Sequence, residues 1–193
     1  YVVDPVFFPG GDIGNLAVCG TVNDLAMQGA EPRYMSLAVI LEEGFGLVDF
    51  RKIVRSIGET SKAVGVQIVA GDTKVVERRS GNPGVFLNTT GIGIRIPGVD
   101  TSVSNARPGD AVIVSGTLGD HGMAIMNRRQ NLGLESSLVS DVAPLWGMIK
   151  AVLAEVPDIR CLRDPTRGGL AAALSDISGT SRCGIRIREQ DIP

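Results

Sequence analysis

Between Asp12 and Gly29 the sequence describes a helix that is apolar on both sides and carries one carboxylate. Asp12 is a good N-cap for a helix over Ile13–Gln28, Gly29 suits the C′ position, and Pro32 stops any continuation. At about 100° per residue, Ile13, Leu16, Ala17, Gly20 and Met27 share one face. Val18, Val22 and Leu25 make the other side apolar too, so the helix is expected to be buried all round. Asp24 falls inside the first stripe and Asn23 on its edge. A carboxylate placed there must be protonated, paired or bound to a cation, because an isolated buried charge is very costly. An arginine such as Arg33, or a cap on a neighbouring helix, is the bland partner.

Composition removes several function classes. Lys and Arg number 19 against 21 Asp and Glu, giving a net charge of −2. No basic excess exists to neutralise a phosphodiester backbone, so no nucleic-acid partner is expected. The lone histidine, His121, excludes zinc sites that need two or three imidazoles. Cys19, Cys161 and Cys183 are odd in number and lack CxxC spacing, which suits reduced thiols in the cytoplasm better than a disulfide framework. No apolar run reaches the roughly 18 residues of a membrane span. Glycine contributes 25 of 193 residues, well above the usual share of about 7%, which points to tight turns and close backbone approaches. The chain opens at Tyr1 without a start Met and is expected to be a piece of a longer protein.

Segments alternate without strict βαβ order, which favours an α+β architecture in two units. Strands are expected over 1–8, 35–41, 66–70 and 85–96, with an amphipathic helix over 47–64 ended by Gly65. The polar stretch 97–110 is the best boundary, dividing residues 1–97 from 98–193. In the second unit, strands are expected at 111–115 and 184–188, a Gly-rich loop at 116–122, and helices from 123, over 143–156 and over about 169–177.

Asp72 follows the apolar strand directly, in Gly71-Asp72-Thr73. Loop atoms converge at the carboxyl ends of strands, and Asp and Thr offer the hard oxygens that Mg²⁺ accepts; an Asx-turn is the plain alternative. Lys74 lies two residues on, where it could hold a phosphate oxygen or an anionic intermediate, or be an ordinary solvated lysine. In the second unit Asp164-Pro165-Thr166-Arg167-Gly168-Gly169 precedes an Ala- and Leu-rich helix. Gly-Gly at a helix start leaves N–H groups free for an anion, and Arg167 could add a bidentate phosphate contact; the same loop could simply cap the helix. His121, beside Asp120, reads as structural.

FPGGDIGNLAVCGTVNDLAMQGAEP (Phe8–Pro32), AGDTKVV (Ala70–Val76), NTTGIG (Asn88–Gly93), ARPGDAVIVSGTLGDHGMAI (Ala106–Ile125) and LRDPTRGGLAA (Leu162–Ala172) together resemble the HypE family of hydrogenase maturation proteins. The wider superfamily includes aminoimidazole ribonucleotide synthetase, thiamine monophosphate kinase and selenophosphate synthetase. The resemblance implies an N-terminal sheet domain that dimerises through a β-barrel, and the first half of a C-terminal α+β sandwich domain. It implies Mg-ATP in a cleft between them, with Asp24 and Asp72 as Mg²⁺ ligands and Asn23 and Thr73 beside them. Asp164, Thr166 and Arg167 would face the cleft from the second domain, and Lys74 would act on a bound carboxamide. Such proteins dehydrate a carboxamide on their own C-terminal cysteine to a thiocyanate, the source of the cyanide ligand of [NiFe]-hydrogenase. A carbamoyltransferase, HypF, loads the cysteine, and a HypC–HypD complex accepts the cyanide. A thiamine monophosphate kinase or a non-catalytic nucleotide-binding subunit are the rival readings. The family's upstream Gly-rich segment and its C-terminal cysteine tail have no counterpart here, so the piece alone is expected not to turn over on itself.

Overall fold

The computed structural model describes residues 1–193 apart from 79–80, 135–136 and 157. A small hairpin, β1 (Phe7–Phe8) and β2 (Gly11–Asp12), leads into helix α1 (Ile13–Met27). The Asp12 carboxylate accepts from the N–H groups of Gly14 at 2.6 Å and Asn15 at 3.2 Å. The Asn15 side chain accepts from the Asp12 N–H at 2.9 Å, closing a capping box. Gly29 turns out of the helix at φ +63°, as its position in the sequence predicts.

Strand β3 (Ala30–Glu42) is the centre of a three-stranded sheet. Strand β5 (Val85–Arg95) runs antiparallel on one side of it, and β4 (Gln67–Val76) runs parallel on the other. The β3–β4 crossover is helix α2 (Leu47–Val64), ended by Gly65 in the left-handed conformation. Met35, Val39 and Leu41 of β3 alternate with more exposed residues, and this buried face meets α1. Ile13, Ala17, Val18 and Val22 of α1, Ile53 of α2 and Leu87 of β5 complete the centre of the core.

The second unit contributes α3 (Asp120–Gln130), α4 (Trp146–Glu155) and α5 (Gly169–Ser181). Trp146, Ile149 and Leu153 of α4 join the core of the first unit.

Four expectations need correction. Only Phe7–Phe8 of the opening segment pairs as a strand. The strand expected to end at Ala70 is longer: β4 runs on to Val76 because β3 continues alongside as far as Glu42 and supplies the ladder. Residues 111–115 and 184–188 are not strands, because no described segment pairs with either. His121 lies in the first turn of α3, not in a loop.

Candidate active site

The last two turns of α1 carry Asn23 and Asp24 toward the second unit. Asp24 is exposed, contrary to the expectation of an all-round buried helix. The buried positions of α1 include Ile13, Ala17, Val18, Val22, Ala26 and Met27; Leu16 and Gly20 share a less covered strip with Asp24. Partial burial nevertheless raises the Asp24 carboxyl above the usual carboxylate range. The Asp164 carboxylate pushes it the same way, and the Arg163 guanidinium opposes both. Asp24 therefore lies near enough to Asp164 and Arg163 of the second unit to feel their charges. Arg33 is not its partner; it pairs with Glu31 at 2.7 Å.

The loop opposite is ordered by its own side chains. Thr166 Oγ1 donates to Asp164 Oδ2 at 2.9 Å, and Arg163 pairs with Asp176 of α5 at 2.9 Å. Gly168 and Gly169 both hold positive φ where α5 begins. Any side chain at Gly168 would put its Cβ 2.6 Å from that of Ala172. This start has no side-chain cap, which leaves the first N–H groups of α5 without one, next in sequence to the exposed Arg167. An anion would be favoured there, and a cation between Asp24 and Asp164 would relieve their repulsion.

Asp72, Thr73 and Lys74 stand elsewhere, in mid-strand on β4. Partners in the ladder share a face, so Asp72 (opposite Ala38) and Lys74 (opposite Ile40) lie on the face turned away from α1. Thr73, opposite Val39, is on the α1 side. Asp72 Oδ1 accepts from the Thr73 N–H at 2.8 Å. Within one chain Asp24 and Asp72 thus lie on opposite sides of the sheet, and Asp24 is brought to Asp164 instead.

Three participants escaped the sequence reading. Arg163 stands one residue before the Asp164 motif without any pattern of its own. Thr101, 3% exposed, donates from Oγ1 to the Met27 carbonyl at 2.7 Å, and its own carbonyl accepts from the Leu162 N–H at 3.1 Å. Tyr1 sets its phenol over Gly20 and 3.3 Å from Thr21 Oγ1. His121 is structural: its Nδ1 is 2.9 Å from Ser140 Oγ, and its ring meets Phe8 edge-on. Burial pushes the Cys19 thiol up to about 11, so it is an inert core group.

Two family models cover nearly the whole chain: AIR synthase related protein, N-terminal domain, over residues 1–95, and AIR synthase related protein, C-terminal domain, over residues 107–193. The chain belongs to the AIR synthase-related family. Within it, the similarity is to HypE. The carbamoyl dehydratase HypE of Rhizobium leguminosarum bv. viciae is 54% identical over all of this chain and 55% of its own length. The HypE–HypF complex matches with a TM-score of 0.96 and 53% identity, over 100% of this chain and 63% of the other. A HypE in complex with ATP matches at 0.90 and 51%, over 94% and 54%. A thiamine-monophosphate kinase from Stenotrophomonas maltophilia K279a, at 0.56 and 22% identity over 88% of this chain and 54% of its own, shares the fold alone. The chain spans about half the length of the curated relatives it matches.

Proposed function

We propose that this chain is the nucleotide-handling part of an ATP-dependent carbamoyl dehydratase that supplies the cyanide ligand of [NiFe]-hydrogenase. The observation that carries this reading is that Asp24 of α1 lies near enough to Asp164 and Arg163 of the second unit to feel their charges, at the junction of the proposed domains 1–97 and 98–193. The similarity to HypE, including a HypE bound to ATP, favours this reaction over the thiamine monophosphate kinase alternative.

Among the described residues no three His, Cys, Asp or Glu side chains gather into a metal cage. Two carboxylates with water and phosphate oxygens are the ordinary way to hold Mg²⁺ beside a triphosphate, so Asp24 and Asp164 fit that ion. Bound there, Mg²⁺ would offset charge on the transferring phosphoryl group. Arg167 and the open N–H groups of α5 would orient the phosphates, with Thr166 fixing Asp164. In the overall reaction a thiocarbamate and ATP give a thiocyanate, ADP and phosphate. The amide oxygen leaves as phosphate and the nitrogen loses both of its protons.

Asp72, Thr73 and Lys74 enter through a homodimer in this proposal. Strand β4 is an edge of the sheet, and the face turned from α1 is open and carries exposed apolar side chains: Ile40 and Phe86 pair across it, and Ile92 and Ile94 are each 60% exposed. A second copy covering this face would bury those side chains. Asp72 and Lys74 would then lie at the seam and serve the partner's nucleotide, Asp72 as a further Mg²⁺ ligand and Lys74 on the bound carboxamide. HypF and a HypC–HypD complex are the proposed partners, in the cytoplasm; no helix among the described residues is long and apolar enough to cross a membrane.

Calorimetric titration of the full-length protein with ATP, with and without Mg²⁺, tests the reading. Binding should require Mg²⁺ and be lost in Asp24→Asn. Binding indifferent to both would favour the rival reading, a non-catalytic nucleotide-binding subunit.

A further inference from the structure

We propose that Asn23 is a positioning residue that clasps the two units together and so fixes the spacing of Asp24 from the Asp164–Arg167 loop. Its carboxamide is engaged at both ends by backbone from the second unit. Nδ2 donates to the Ala143 carbonyl at 3.0 Å, and Oδ1 accepts from the Leu145 N–H at 2.8 Å. Leu145 is the N-cap residue of α4 and provides no side-chain cap of its own. Asn23 therefore supplies an acceptor at the α4 start from another element, at a place where helix N–H groups lack partners. Trp146, Ile149 and Leu153 then pack α4 into the core that α1 shares.

Asn23 and Asp24 are adjacent in one helical turn, so whatever holds Asn23 also sets where Asp24 stands. A second tether acts a turn further on. Thr101 ties the Met27 carbonyl of α1 to the Leu162 N–H, which precedes Arg163 and Asp164 in the chain. The chain thus fastens both 143–145 and the 162–169 loop to the same end of α1. Asn suits the task because one end donates and the other accepts; Asp could not donate to Ala143, and Ala could do neither.

The dependence on ATP rests on the function proposed above, but the clasp itself does not. The test is amide hydrogen exchange on the full-length protein without nucleotide, followed by ATP titration. In Asn23→Ala the Leu145 amide should exchange roughly fivefold to tenfold faster than in the parent, the effect of losing its acceptor, whereas Asn23→Asp, which can still accept but cannot donate to Ala143, should change it less. ATP should bind more weakly, with its Mg²⁺ requirement intact. Unchanged nucleotide-free exchange of the Leu145 amide in Asn23→Ala overturns the proposal, whatever happens to ATP binding; loss of binding with unchanged exchange makes Asn23 a nucleotide ligand. Should the variants not fold, the parent decides: a Leu145 amide that exchanges at the rate of an open loop overturns the clasp, and a protected one supports it. A parent that binds no Mg-ATP sinks the proposed function and leaves the exchange comparison standing.

Discussion

Thr21 Oγ1 of α1 lies 2.6 Å from Thr89 Oγ1 of β5, and this pair bolts the helix to the sheet within an otherwise apolar contact. The Tyr1 phenol reaches the same Thr21 hydroxyl from outside at 3.3 Å. Thr21 is therefore the shared member of the network. Removing one partner strands the other, whereas removing both together leaves an apolar contact of similar shape. Thr21→Val should cost about 1–3 kcal/mol and Thr89→Val less, because Thr21 keeps Tyr1. The double variant should cost less than the sum. Urea unfolding of the four proteins measures the coupling, and strict additivity would show that the hydroxyls do not depend on each other.

The turn of the opening hairpin is fixed by contact as well as conformation. Gly10 has φ +92°, and a Cβ there would sit 2.8 Å from the Ser140 carbonyl oxygen and 2.9 Å from its nitrogen. The Ser140 N–H donates to Pro9 at 2.8 Å, so backbone meets backbone and neither can yield cheaply. Gly10→Ala should destabilise by about 2–4 kcal/mol, from left-handed strain plus the overlap. A thermal midpoint equal to the parent's would mean that this contact is loose.

His121 packs beneath the same turn. Burial pulls its imidazole below the ordinary value of 6.5, with the nearby Asp141 carboxylate opposing. A depressed folded value means that the fold prefers the neutral ring. That stability is fully present above the unfolded value and is lost as pH falls through the folded one. Between about pH 7 and pH 5 the parent should lose stability more steeply than His121→Gln, which cannot take up the proton. Parallel stability curves for the two proteins over that range would remove His121 from the account.

Elements that carry their own signals were legible in the sequence. Helix α2 shows its stripe and its terminal Gly65, and α1 shows the Asp12 cap, so both appear where the pattern places them. What the pattern could not show is set by distant partners. The ladder pairs Ala38 with Asp72 and Ile40 with Lys74, and that pairing turns an apparent strand end into mid-strand. Asp24 looked like a core carboxylate because its stripe is apolar, yet Leu16 and Gly20 in that strip are only partly covered and Asp24 feels the charges of Asp164 and Arg163. Arg33 looked available from sequence distance, but Glu31 is nearer and takes it. Segments 111–115 and 184–188 have strand-like composition, and composition alone does not supply a neighbour to pair with.

The separation of Asp24 from Asp72 by the sheet makes the dimer proposal testable without a structure of the complex. Suppose each nucleotide site uses Asp24 of one copy and Asp72 of its partner. Asp24→Asn and Asp72→Asn homodimers of the full-length protein then each lose ATP-dependent dehydration. A mixed dimer has one site with both substitutions and one with neither, because the two sites are related by a twofold axis. Random pairing of equal amounts should restore about a quarter of the parent activity, half of the dimers being mixed and each having one intact site. If instead both aspartates of a site came from the same chain, every site in the mixture would lack one of them and activity would stay at the level of the separate variants. Co-expression with two different affinity tags isolates the mixed dimer, where the expected recovery is about half that of the parent.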